Sequence, residues 1–124
     1  FQKIPVALIA EDDESNRFYL ESILTKLAIK VILVPNGKEA VNQCREHPEI
    51  SLILMDLKMP VMDGFEATGA IRSFWKYVPI IAITAFAMSD DKKRALDAGC
   101  DDYLPKPVNK EDLIEKLKRY GLAL

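Results

Sequence analysis

Four stretches of the chain are continuously apolar and β-rich: IPVALIA at 4–10, VILV at 31–34, SLILM at 51–55 and PIIAI at 79–83. Unbroken apolar runs of this length fit strands buried on both faces of a parallel sheet. A weaker fifth candidate is DYL at 102–104. The segments between them change period. Leu20, Ile23, Leu24 and Leu27 recur at helical spacing, and Ala40, Val41 and Cys44 share a face. Ala67, Ile71 and Phe74 form a third stripe, and Leu113, Ile114 and Leu117 line the last helix.

Helix starts carry capping chemistry. Asn36 precedes Glu39 by three residues, Asp63 precedes Glu66, and Asn109 precedes Asp112. Ser89 leads into Asp90 and Asp91, acids suited to a helix N-terminus. Gly99 stands where a helix C-cap is expected. The order is strand–helix repeated five times, which implies a parallel sheet with helices on both faces. The 124 residues suit one domain, 1–124 with a core of about 4–120, and no linker or low-complexity stretch interrupts them.

Composition narrows the class. Apolar residues make up 49% and charged residues 29%, the mix of an ordinary globular domain. A formal charge of −2 argues against a dedicated nucleic-acid surface. No apolar run approaches the roughly 20 residues of a membrane span, and the N-terminus lacks a signal peptide's regions, so neither membrane contact nor secretion is expected. Cys44 and Cys100 lack CxxC spacing and read as reduced core thiols of a cytoplasmic protein. The first residue is Phe1, which suggests a domain cut from a longer protein or a processed chain.

In an open parallel sheet the ligand site lies beyond the C-terminal strand ends. The residues at those ends are Glu11, Asp12, Asp13 and Glu14 after the first strand, Asp56 after the third, Thr84 after the fourth and Lys106 after the fifth. Convergence of the strands on one rim would gather carboxylates, a hydroxyl and an ammonium. Two like charges about 4 Å apart repel by about 4 kcal/mol at an effective dielectric near 20. Cations must compensate. Lys106 supplies one, and an all-oxygen site suits Mg²⁺ or Mn²⁺ as the second.

The motifs ALIAEDD, LILMDLKMPVMDG, IIAITA and DYLPKP, in this order and spacing, resemble the receiver (response regulator) domain of two-component signalling. The resemblance covers Val6 to about Tyr120. It implies a (βα)5 flavodoxin-like, CheY-like doubly wound sheet with strand order 2-1-3-4-5. It implies that Asp56 accepts a phosphoryl group from a histidine kinase or histidine phosphotransfer domain. Asp12 then matches the direct metal ligand, Glu11 the neighbouring acid, and Lys58 the residue whose backbone carbonyl completes the protein ligands. Thr84 matches the hydroxyl that bonds a phosphoryl oxygen. Lys106 matches the lysine that pairs with the phosphoryl group, and its bond to Pro107 is cis in the family. Tyr103 matches the aromatic switch position. Side chains two past the phosphoacceptor and two past the threonine, here Lys58 and Phe86, tune dephosphorylation. The face of the fourth helix, fifth strand and fifth helix is the output surface and a route to a homodimer. ESNRF and TAFAMSDDKKRALDAGCDDYLPKP resemble receivers of hybrid sensor histidine kinases in particular; a stand-alone or effector-linked response regulator is the alternative.

Other features have plainer readings. Asp13 and Glu14 fit a solvated helix start, His47 an exposed cap, Lys92, Lys93 and Arg94 a solvated helix face, and Met55, Met59 and Met62 core and loop packing. Gly69 inside a helix and Trp75 in SFWKY have no explanation in the pattern. A haloacid-dehalogenase-type phosphatase needs a second aspartate two residues after the nucleophile, where Lys58 stands. A flavin-binding flavodoxin needs a hydroxyl- and Gly-rich first loop, and EDDE would repel a phosphate. A degenerate receiver would lack a signature residue, and all five positions are filled.

Overall fold

The computed structural model describes residues 4–85 and 89–122. Five strands and five helices alternate: β1 (Val6–Ala10), α1 (Glu14–Lys26), β2 (Lys30–Val34), α2 (Gly37–Glu46), β3 (Leu52–Asp56), α3 (Gly64–Arg72), β4 (Ile80–Thr84), α4 (Ser89–Ala98), β5 (Asp102–Pro105) and α5 (Lys110–Arg119). All strand pairs are parallel, in the order β2-β1-β3-β4-β5. The chain moves from β1 outward to β2 and then returns to the other side of β1 with β3. The switch in direction lies between β1 and β3, so a crevice opens beyond their C-terminal ends.

Strand alternation divides the core in two. Val6, Leu8 and Ala10 face one side with Val41 and Cys44 of α2, Ala67 and Ile71 of α3 and Ala95 of α4. Ala7 and Ile9 face the other with Leu20, Ile23 and Leu24 of α1 and Leu113 and Leu117 of α5. Every residue of β1, β3 and β4 is buried. β2 is not buried on both faces as its apolar run suggested. It is an edge strand, and its Lys30 and Leu33 are exposed.

The expected caps form. Asn36 accepts from the Glu39 amide at 2.9 Å, Asp63 from Glu66 at 2.9 Å and Asn109 from Asp112 at 3.0 Å. Asp13 caps α1 in the same way, accepting from the Asn16 amide at 2.8 Å. Gly99 ends α4 at φ 119, a conformation that favours glycine, while its amide bonds the Leu96 carbonyl. His47 caps α2 and pairs with Glu49.

One helical stripe ends early. Phe74 lies past the end of α3 and is 37% exposed, because the helix stops at Arg72 and caps at Ser73. Trp75 turns inward instead, its amide on the Ile71 carbonyl at 2.8 Å and its ring against the core. Arg72 secures this corner, donating to the carbonyls of Gly99, Trp75 and Val78 and to Asp101.

Candidate functional site

β1 delivers Glu11 and Asp12 to the rim, and β3 delivers Asp56. The strands below are wholly buried, so these carboxylates stand on a rigid base. Glu11 is 1% and Asp56 2% exposed, whereas Asp12 is open to solvent. One oxygen from each of the three lies within 4.8 Å of the others. Asp56 and Thr84 are the last residues of β3 and β4 rather than the first residues after them, and Thr84 is also buried.

Lys106 follows β5 by one residue. Its Nζ sits 2.8 Å from Glu11 Oε1 and 3.2 Å from Asp56 Oδ2. Its amide bonds the Thr84 carbonyl at 2.8 Å, which ties the lysine's loop to the end of β4. The Lys106–Pro107 peptide is cis. The Lys58 amide donates to Asp56 Oδ1 at 3.2 Å, while its side chain is exposed. Glu11 Oε1, although ion-paired, accepts no aligned hydrogen bond among the described residues.

The charges are unevenly held. Burial raises the Asp56 pKa first, and the neighbouring Glu11 carboxylate adds to it through a shared hydrogen bond and repulsion. The Lys58 amide and Lys106 oppose them, and the balance stands at about 7. Burial pushes Glu11 upward too, but its hydrogen bond with Asp56 and the Lys106 ammonium outweigh that and hold it below the ordinary carboxylate value. Burial acts to lower Lys106, and the two carboxylates more than reverse it. The pocket thus concentrates negative charge around one ammonium.

The loop after β3 is tightly shaped. Gly64 brings the start of α3 so close to the Asp56 carbonyl and Leu57 Cα that a Cβ would collide with both. Its amide bonds the Leu57 carbonyl at 3.1 Å. Tyr103 is half-buried on β5, and the Lys92 ammonium lies 4.8 Å from its ring centroid. Arg94 stacks 4.0 Å over Phe65. The Lys92–Arg94 run is therefore exposed as expected, but two of its cations rest on aromatic rings. Phe86 lies outside the described residues.

Sequence reasoning missed two contacts near the site. Arg17 Nη1 donates to the Glu11 carbonyl at 3.2 Å, and Tyr19 Oη donates to the Val108 carbonyl at 2.9 Å. Neither residue carries a local signal, since each partner is set by the packing of α1.

Comparison with known proteins bears on this geometry. The family model for the response regulator receiver domain matches residues 7–118. The chain is 45% identical over 119 residues to hybrid signal transduction histidine kinase G of Dictyostelium discoideum, a match covering 92% of this chain and 3% of that kinase. The chain thus spans a small fraction of that relative's length. Among solved structures, the receiver domain of sensor histidine kinase PA1611 from Pseudomonas aeruginosa PAO1 carries a magnesium ion coordinated in its active site cleft. It matches at TM-score 0.88 and 38% identity, covering 95% of this chain and 98% of that one. A Saccharomyces cerevisiae co-crystal joins the phosphotransfer protein Ypd1 with the receiver domain of its downstream response regulator Ssk1. The match there has TM-score 0.88 and 40% identity, covering 95% of this chain and 89% of that one. The family match runs from within β1 almost to the end of α5, and so takes in every strand end that bears the acidic cluster, Thr84 and Lys106: the chain belongs to the response regulator receiver domain family.

Proposed function

We propose that this chain is a single phosphoacceptor receiver domain of a two-component phosphorelay, with Asp56 as the acceptor. The observation that carries this reading is the buried Asp56 carboxylate, 3.2 Å from Lys106 Nζ and within one 4.8 Å cluster with Glu11 and Asp12. An Asp56 oxygen attacks the phosphorus of a phosphohistidine on a histidine kinase or phosphotransfer domain. The P–N bond breaks, its electron pair leaves with the imidazole, and the imidazole takes a proton from solvent. Phosphoryl transfer asks mainly for positioning and charge neutralisation. In this reading Lys106 pairs with the transferred group and the Thr84 hydroxyl bonds one of its oxygens.

The residues fit a hard divalent cation. The donors are all oxygen, and Glu11 Oε1 is a buried oxygen with no aligned hydrogen bond among the described residues. Asp12, Asp56 and the Lys58 carbonyl would hold Mg²⁺ or Mn²⁺, with Glu11 beside it. Bound there, the ion would supply charge neutralisation for the nucleophile and the phosphoryl oxygens. Thr84 and Tyr103 then form the switch toward the α4-β5-α5 face, the partner and homodimer surface in this reading. Lys58 and Phe86 set the phosphoryl lifetime. Likeness to the Dictyostelium kinase favours origin in a hybrid sensor kinase, and likeness to the Ssk1 receiver favours a response regulator.

Incubation with acetyl phosphate and Mg²⁺ tests the reading. Intact-mass measurement is expected to find one phosphoryl group, removed by base and by hydroxylamine as an acyl phosphate is, not formed when Mg²⁺ is chelated beforehand and absent in Asp56→Asn. Labelling that persists in Asp56→Asn would place the acceptor elsewhere.

A further inference from the structure

The loop that carries Lys106 is held from two sides. On the sheet side the Lys106 amide bonds the Thr84 carbonyl at 2.8 Å. On the helix side Tyr19 of α1 donates its hydroxyl proton to the carbonyl of Val108, 2.9 Å away and 89 residues along the chain. Between these anchors lie the Lys106 side chain and Pro107, which has no N–H to offer. The same helix reaches the opposite loop, where Arg17 bonds the Glu11 carbonyl at 3.2 Å. Both partners of the 2.8 Å Lys106–Glu11 ion pair are thus tethered to α1 by side chains two residues apart.

A cavity of about 40 Å³ lies in the angle, lined by Glu11, Asn16, Tyr19, Lys106, Pro107 and Val108 among others. The Tyr19 ring is one wall of it. Val108 is buried and the bond to it partly so, and without the phenol its carbonyl would have to take a water in place of a fixed donor. Without that hydrogen bond the loop can relax outward toward water, and the cavity offers room for the lysine to shift.

We infer that Tyr19 is a positioning residue for Lys106. It fixes the loop so that the ammonium bridges Glu11 and Asp56 where the phosphoryl group arrives. This inference rests on the phosphoacceptor reading above. It gives α1 a role in the chemistry that its exposed, polar surface does not suggest.

The test compares wild type with Tyr19→Phe, which keeps the ring and removes only the donor. Displacing a reacting group by about an ångström can cost about 10²-fold, so loss of one tether is expected to slow labelling of Asp56 by saturating acetyl phosphate about five- to tenfold. Mg²⁺ affinity is expected to stay within about twofold, because the metal's carboxylates are untouched. The Lys106 ¹³Cε signal is expected to shift while that of Lys116, in the last turn of α5 and paired with Asp102, stays in place. An unchanged rate with an unmoved Lys106 signal overturns the inference. So does a general loosening in which Lys116 and the Mg²⁺ affinity change as much as Lys106. A loss seen only with a phosphohistidine donor, and not with acetyl phosphate, overturns it in favour of a docking role. Failure of the wild type itself to label Asp56 sinks the phosphoacceptor reading instead, and the Lys106 signal still decides whether Tyr19 positions the lysine.

Discussion

Two residues carry backbone choices opposite to what their positions favour. Gly69 lies within α3, where glycine costs about 1 kcal/mol relative to alanine. A Cβ built there meets nothing within 4 Å among the described residues. Val61 shows the reverse. The Met62 amide bonds the Pro60 carbonyl at 2.7 Å, closing a three-residue turn with Val61 at its centre and φ at 68. A β-branched residue in that region is strained, by about 1–3 kcal/mol. Gly69→Ala and Val61→Gly are each expected to raise stability by up to about 1 kcal/mol in urea unfolding. The effects should add, since one residue is mid-helix and the other is in the β3–α3 loop. A destabilised Gly69→Ala would mean that a Cβ at this position is not free of contacts within the chain. The signature residues were legible in the sequence because each stands at the end of an apolar run, and apolar runs are easy to see. Strain at Val61 was not, because nothing in PVMDG reports a backbone angle.

At the scale of elements, apolar runs and helical stripes located the strands and four of the helices, because burial on one or both faces writes itself into the residue order, while α4 was read from its end signals, Ser89 to Asp91 and Gly99. It failed where burial depends on neighbours. The apolar run of β2 looked like a central strand, yet lies at an edge with Leu33 exposed. Polar links between distant elements were equally invisible, and Asp102 is the fullest case. Its carboxylate receives the Tyr103 amide at 2.9 Å, Lys116 at 3.1 Å, Tyr120 at 3.1 Å and Arg119 at 3.2 Å, joining β5 to the α5 side of the molecule. Burial acts to raise its pKa, but the Tyr103 amide, Lys116 and Tyr120 prevail and hold it below the ordinary value. A depressed carboxylate pKa contributes stability above the unfolded-state value, near 3.9, and loses it as pH falls through the folded-state value. Asp102→Asn is therefore expected to cost about 2 kcal/mol at pH 7. The gap between mutant and wild type should narrow as pH drops below about 4. A gap that stays constant down to pH 2 would show that shape, not charge, holds this junction.

Across the whole molecule, stability is unevenly spread, and the unevenness has a direction. β1, β3 and β4 are buried along their full length and sit between two apolar clusters. α4 is attached differently. Of its side chains from Asp90 to Ala98, only Ala95 is buried. Its other attachments include Lys92 over Tyr103 and Arg94 over Phe65, exposed cation–ring contacts worth about 0.5–1 kcal/mol each. Opening of such an element costs far less than unfolding the sheet. Amide exchange in α4 is therefore expected to run at least about 10²-fold faster than in β1, β3 and β4, which should exchange only through global unfolding. The soft helix also borders Tyr103, on the strand next to the one ending at Thr84. A charge added at Asp56 would find little resistance there and much along the sheet. Phosphorylation is accordingly expected to change α4 protection more than that of α2, whose Ala40, Val41 and Cys44 are buried. Lys92→Met should enlarge the basal exchange of α4 without altering α2. Protection of α4 equal to that of α2 in the unmodified protein would remove the basis for routing the response through this side.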